Sequence, residues 1–163
     1  GPVSLETPNE IKRINVESAD EMLSEVDKVI NDFDLFISTA AVSDYKPEEY
    51  EVQKIKKEKN TDNLNLELIT NKDILKHVSK DKGDLKVIGF AAETQNIIEN
   101  AKRKLNEKNL DLIIANDVSD PSIGFDSDEN EVYLITDEIE KKIDRVSKKK
   151  LSRSIIEFIA NYL

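Results

Sequence analysis

Asp44, Lys54, Lys56 and Lys57 are the residues of this chain whose types and spacing most suggest chemistry. They lie in AAVSDYKPEEYEVQKIKK, residues 40–57, where a small-residue strand end runs into a polar loop with one carboxylate. Ten residues after Asp44 come three lysines with a single isoleucine between them. Lysines stabilise charge that develops on phosphoryl oxygens, so the cluster suits a triphosphate that leaves as pyrophosphate. Two more stretches, GFAAET at 89–94 and ANDVS at 115–119, also end an apolar run in small or polar residues. Packing against helix starts accounts for the alanines, but not for a carboxylate or an asparagine recurring at each place. A lysine run also has a plain use as a solvated face. For Lys54–Lys59 that reading is as open as the chemical one, and for Lys148–Lys150 it is favoured.

The elements that must position these residues alternate along the chain. Ile11–Val16 reads as a short strand, and Ser18 with Glu21 forms a capping box that opens a helix with Met22, Leu23, Val26, Val29 and Ile30 on its apolar face. Asp34–Ala41 is a strand. Leu64, Leu66 and Leu68 alternate as in a half-exposed strand, and Asn71 is expected to cap a short helix carrying Ile74, Leu75 and Val78. Leu85–Ala91 and Leu110–Ala115 are apolar runs without alternation, hence strands buried on both faces, with a helix over about 94–108 between them. Val132–Thr136 and Ile139–Val146 form a hairpin, and a terminal amphipathic helix turns Leu151, Ile155, Ile156, Ile159 and Leu163 inward. The fold class that follows is α/β: an open, Rossmann-like, mostly parallel sheet with helices on both faces and an antiparallel edge hairpin. Right-handed crossovers place the strand carboxyl ends on one edge, outside which ligands bind in such sheets.

Composition narrows the function. At 163 residues the chain is read as one domain, 1–163. Its net charge of −10 argues against binding nucleic acid or anionic lipid in bulk, and no apolar run approaches the roughly 20 residues of a membrane span. Without cysteine there is no thiolate catalysis, disulfide or thiolate-ligated metal, and a single histidine, His77, leaves no histidine cluster. The opening GPVSLETPNE has no leader pattern, so the cytoplasm is the expected compartment. With glycine only at 1, 83, 89 and 124, neither a dinucleotide fingerprint nor a Walker loop can be written. Phosphates would have to be held by lysine side chains. Asp126 and Asp128 in GFDSDEN read first as turn residues and second as magnesium contacts, and His77 reads as a solvent-flank residue.

The ordered set AAVSDYKP, KIKK, NKDIL, GFAAET, a helix with Lys104 and Lys108, KNLDLIIANDVS and GFDSDEN resembles the phosphopantothenoylcysteine synthetase (phosphopantothenate–cysteine ligase) family, over nearly the whole chain. That family activates 4'-phosphopantothenate with a nucleoside triphosphate and joins the acyl-nucleotidylate to cysteine, in coenzyme A biosynthesis. In many bacteria it is fused to a flavin-dependent decarboxylase. GFAAET and ANDVS look like the bacterial branch, which uses CTP. The resemblance implies CTP and Mg²⁺ as co-substrate and metal ion, and a homodimer; no residue is assigned as a metal ligand, and any metal must sit on oxygen ligands. Carried over by motif, Ser38, Thr39, Ala40 and Asp44 should meet the nucleotide, Lys54 should serve acyl-cytidylate formation, and Lys72, Asp73, Ile74 and Leu75 should match the family's NPDIL loop, with lysine in place of proline. Phe90 should border the base, and Lys104 and Lys108 complete the set. The family's first glycine-rich strand–loop–helix segment, with its asparagine and arginine, lies ahead of Gly1. The chain is therefore expected to bind CTP but to be catalytically incomplete. Two rival readings share the fold: a nucleotide-binding module without chemistry, and an assembly module using its acidic surface and the 119–130 loop.

Overall fold

The computed structural model describes residues 6–56, 63–119 and 127–163. In chain order the elements are α1 (Ala19–Val29), a 3₁₀ turn (Ile30–Asp32), β1 (Leu35–Ser38), β2 (Tyr45–Pro47), β3 (Leu68–Thr70), α2 (Ile74–Lys80), β4 (Lys86–Glu93), α3 (Ile97–Glu107), β5 (Leu112–Asp117), β6 (Glu129–Ile135), β7 (Glu140–Ser147) and α4 (Lys148–Tyr162). Five strands form one sheet in the order β1-β4-β5-β6-β7, while β2 and β3 form a separate antiparallel pair. β1, β4 and β5 are parallel, and β6 and β7 add antiparallel to β5. This is a Rossmann-like α/β sheet with an antiparallel edge.

Period-two alternation divides the core between two faces of the sheet. Val87, Ala91, Ile113 and Ala115 pack on one side with Leu23 of α1, Ile74 and Val78 of α2, and Ala101 and Leu105 of α3. Ile88, Leu112 and Ile114 pack on the other side with Leu151, Ile155, Phe158 and Ile159 of α4. β4 and β5 are therefore covered on both faces, which is why their sequences are apolar without alternation. Ser18 caps α1, its hydroxyl accepting from Glu21 N–H at 3.2 Å, while the Glu21 carboxylate accepts from Glu17 N–H at 2.9 Å. The β6–β7 turn is closed by Thr136, whose hydroxyl accepts from Ile139 N–H at 2.9 Å.

Four local expectations are corrected. Ile11–Val16 is irregular, not a strand: its apolar residues fall at 11, 14 and 16, which gives no consistent face, and only Val16 is buried. The strand expected from Leu64 starts only at Leu68; Leu64 and Leu66 are exposed and lie ahead of it. Asn71 does not cap α2. Asp73 does, accepting from Lys76 N–H at 3.0 Å. In α4, Ile156 is 52% exposed and Phe158 takes the inward place, because 151, 155, 158 and 159 follow the helical stripe and 156 falls beside it.

Gly89 lies in β4 where α2 comes closest. A Cβ there would stand 2.7 Å from Leu75 Cδ2 and 3.0 Å from Leu110 Cδ1, inside van der Waals contact. Gly89→Ala should therefore push Leu75 and α2 away from the sheet and lower stability by about 1–3 kcal/mol. Denaturant unfolding measures this, and an unchanged midpoint would show that Leu75 yields freely.

Candidate functional site

Parallel pairing brings the carboxyl ends of β1, β4 and β5 side by side. Ser38 is in register with Gly89, and Phe90 to Glu93 with Ile114 to Asp117. Over the ends of β1 and β4 opens a cleft of about 520 Å³, within the usual range for small-molecule sites; the end of β5, with ANDVS, does not line it. Its walls are the β1–β2 connection, the segment leading into α2, the end of β4, and one face of α3. Of the residues singled out from sequence, Ser38, Ala40, Asp44, Lys72, Asp73, Ile74, Leu75, Phe90, Lys104 and Lys108 line this cleft. Thr39 is exposed beside it without lining it.

Lys54 lies elsewhere. It borders a second, wider groove of about 870 Å³ along the β2–β3 arm, among Tyr50, Ile55, Leu64 and Leu66. Lys54 is the one cation among the described residues that line that groove, which also carries Glu49, Glu51 and Glu67. Such a lining does not favour phosphates. Lys56 is exposed, and Lys57, Lys59 and Asp126 lie outside the described residues. Asp128 accepts from Lys148 N–H through its backbone carbonyl at 2.8 Å, extending the β6–β7 pairing by one residue beyond Glu129 and Ser147. His77 joins α2 to α1 through Asp27, at 2.9 Å, with both side chains about half exposed. Among the described residues no group of three or more His, Asp or Glu side chains could hold a metal ion, and no helix is long and apolar enough to cross a membrane.

The cleft is built by contacts that sequence reasoning did not identify. Asn71 ties its two polar walls together: its backbone N–H donates to the Asp44 carbonyl at 2.7 Å and its Nδ2 to the Ser43 carbonyl at 3.0 Å. Lys104 and Lys108, one turn apart on α3, are each held by a carboxylate. Lys104 Nζ lies 2.5 Å from Glu93 Oε1, and Lys108 Nζ lies 2.8 Å from Asp73 Oδ2. Asp73 thus caps the start of α2 with one oxygen and grips Lys108, at the end of α3, with the other. Burial pushes its carboxyl up, but the hydrogen bonds from Lys108 and Lys76 N–H outweigh burial and hold it below the usual carboxylate range. Glu93, within GFAAET, is the last residue of β4, and the recurrence of a carboxylate or asparagine at each strand end was the available signal. Nothing in the spacing alone pairs it with Lys104, which is eleven residues away.

A family model described as the DNA/pantothenate metabolism flavoprotein C-terminal domain matches residues 1–163. The chain belongs to that family. Membership agrees with the resemblance drawn from AAVSDYKP through GFDSDEN. The chain is similar to the Coenzyme A biosynthesis bifunctional protein CoaBC of Vibrio vulnificus (strain YJ016), 43% identical over 160 residues, 98% of this chain and 40% of that protein. It is 40% identical to the protein of the same name from Escherichia coli (strain K12), over 98% of this chain and 40% of that protein. The chain spans about 40% of the length of these curated relatives. Among solved structures, the C-terminal domain of a CoaBC superposes with a TM-score of 0.78 at 33% identity, covering 97% of this chain and 69% of that one. A flavoprotein from Streptococcus pneumoniae, 20% identical with a TM-score of 0.74 over 98% of this chain and 75% of that one, shares the fold.

The double duty of Asp73 should tie stability to the ionisation of its carboxyl. A carboxyl held low in the folded state stabilises above its unfolded pKa of about 3.9, and that stabilisation is lost as pH falls through the folded value. Asp73→Ala should cost about 0.5–2 kcal/mol at neutral pH through the lost cap. Its gap from wild type should narrow below about pH 4. Urea unfolding at several pH values checks this, and a gap constant into acid would assign the cost to packing.

Proposed function

We propose that this chain is the CTP-binding part of a phosphopantothenate–cysteine ligase acting in coenzyme A biosynthesis. The observation that carries the reading is the cleft over the strand ends, which gathers Ser38, Asp44, Phe90, Lys104 and Lys108 from separate parts of the sequence. Phosphates fit beside the two lysines, and the base fits between Ala40 and Phe90. In the proposed reaction the phosphopantothenate carboxylate attacks the α-phosphorus of CTP, pyrophosphate leaves, and an acyl-cytidylate forms. The cysteine amine then attacks the acyl carbon, and CMP departs with the bonding pair. Lysine ammonium groups stabilise the charge that collects on the leaving pyrophosphate.

Mg²⁺ fits as a counter-ion of the triphosphate, since it takes most ligands from phosphate oxygens and water. Asp44, a cleft carboxylate that no ion pair among the described residues engages, is the contact we propose for it. A homodimer is supported by the apolar side chains exposed on and around β2–β3, among them Tyr45, Tyr50, Leu66 and Leu68. A flavin-dependent decarboxylase as a fused partner is supported by the bifunctional name of relatives that are 2.5 times longer than the matched region, a ratio that follows from 40% coverage. One observation favours a second reading, a nucleotide-binding module without chemistry: Lys54 stands on the arm and not in the cleft. Release of pyrophosphate from CTP by the longer protein, in the presence of phosphopantothenate, separates the two.

CTP should bind more tightly than ATP, because the wall formed by Ala40 and Phe90 suits a pyrimidine edge and a purine needs more room. Calorimetry with both nucleotides and Mg²⁺ tests this, and equal affinities would remove the base preference. Lys54→Gln in the longer protein should leave the melting temperature nearly unchanged, as surface substitutions do. Only if the arm brings Lys54 to the phosphates when substrate is bound should the same change slow acyl-cytidylate formation, by about 10²-fold or more, because Lys54 borders the arm groove and not the strand-end cleft. A wild-type rate would reduce KIKK to a solvated charge run.

A further inference from the structure

Glu93 is the carboxylate closest to Lys104, and its position is fixed from several directions. Its Oε1 accepts from Lys104 Nζ at 2.5 Å and its Oε2 from Asn100 Nδ2 at 3.2 Å. Asn100 Nδ2 is itself held by the Gln95 carbonyl at 2.9 Å, and the Glu93 backbone carbonyl accepts from Val118 N–H at 3.0 Å. The Glu93 side chain is 12% exposed against 37% for Lys104. Lys104 lines the cleft, and Glu93 does not. A half-exposed lysine that is gripped from behind by a more buried, braced carboxylate is already oriented before any ligand arrives.

We infer that Glu93 is a positioning residue that holds the Lys104 ammonium over the strand ends for the phosphates of the ligand. This rests on the reading of the cleft as a nucleotide site. The carboxylate occupies one of the three ammonium donors and leaves two for phosphate oxygens. Without it, Lys104 would have to surrender its rotamer freedom at the moment of binding, and affinity would fall by that amount. Asp73 holds Lys108 in a similar way, but its cap to α2 makes it unsuitable for a clean test.

The test is calorimetry of CTP, CMP and inorganic pyrophosphate with wild type, Glu93→Gln, Lys104→Gln and the double variant. Glu93→Gln is expected to weaken CTP and pyrophosphate about tenfold, or ~1.4 kcal/mol, and to leave CMP within about twofold. The double variant should bind no more weakly than Lys104→Gln alone, since both changes act through one ammonium group. A merely structural role would weaken all three ligands together and add to the lysine substitution. Unchanged or tighter CTP binding by Glu93→Gln would overturn the inference, making Glu93 idle or a competitor for the lysine. Should Glu93→Gln fail to fold, Glu93→Asp is read in the same way, since it keeps the charge and draws the oxygens back by one methylene. Wild type that binds neither CTP nor pyrophosphate would overturn both the inference and the nucleotide reading. Pyrophosphate binding that depends on Glu93, with CTP no tighter than pyrophosphate, would leave the inference standing and remove the claim on the base.

Discussion

Burial of β4 between β1 and β5, and between helices on both faces, is the constraint on which the site depends. A parallel strand in that position has no free edge, so its register to both neighbours is set, and its last residues emerge at a defined point beside Ser38 and Asp117. Gly89 lets α2 come close to the strand, with Leu75 packed where a side chain would otherwise be. That approach brings the segment before α2 to the same edge, where Asn71 bonds to the β1–β2 connection. The cleft walls are consequences of how the strand is packed.

Electrostatics act against the background of that packing. The chain carries a net charge of −10, which repels polyanions at a distance, while two cleft lysines are neutralised locally by Glu93 and Asp73. Whether such carboxylates help or hinder an incoming phosphate is a matter of magnitudes. Ordering a free lysine side chain costs about 1.5–2 kcal/mol. Repulsion between unit charges roughly 6 Å apart runs from about 0.7 kcal/mol in water to about 2.8 kcal/mol at the dielectric typical near a protein surface. The two magnitudes are comparable, so the effect of Glu93→Gln on CTP affinity decides the sign.

The sequence made the sheet legible where burial on two faces removed ambiguity. Leu85–Ala91 and Leu110–Ala115 announce β4 and β5 because nothing except a doubly covered strand needs such runs, and Ser18 with Glu21 announces α1 because the cap is local. Ile11–Val16 misled because a few branched residues raise strand propensity without giving a face to bury. Asn71 misled because asparagine suits a helix cap and a loop bridge equally, and only the meeting of two loops, at Ser43 and Asp44, decides between them. The cleft residues were legible through ordered motifs. The pairing of Lys104 with Glu93 and of Lys108 with Asp73 was not, because α3 and the ends of β4 and α2 meet only in three dimensions. Lys54 shows the reverse: the lysine cluster dominates the sequence, yet Lys54 itself borders the groove of an arm whose placement no local pattern specifies.

The central claim is that the cleft over the carboxyl ends of β1 and β4 holds a nucleoside triphosphate. A crystal of the protein soaked with CTP and Mg²⁺ tests it most directly. The account expects the triphosphate against Lys104 and Lys108, with the base between Ala40 and Phe90. Nucleotide bound in the groove of the β2–β3 arm, with the strand-end cleft empty, would contradict it.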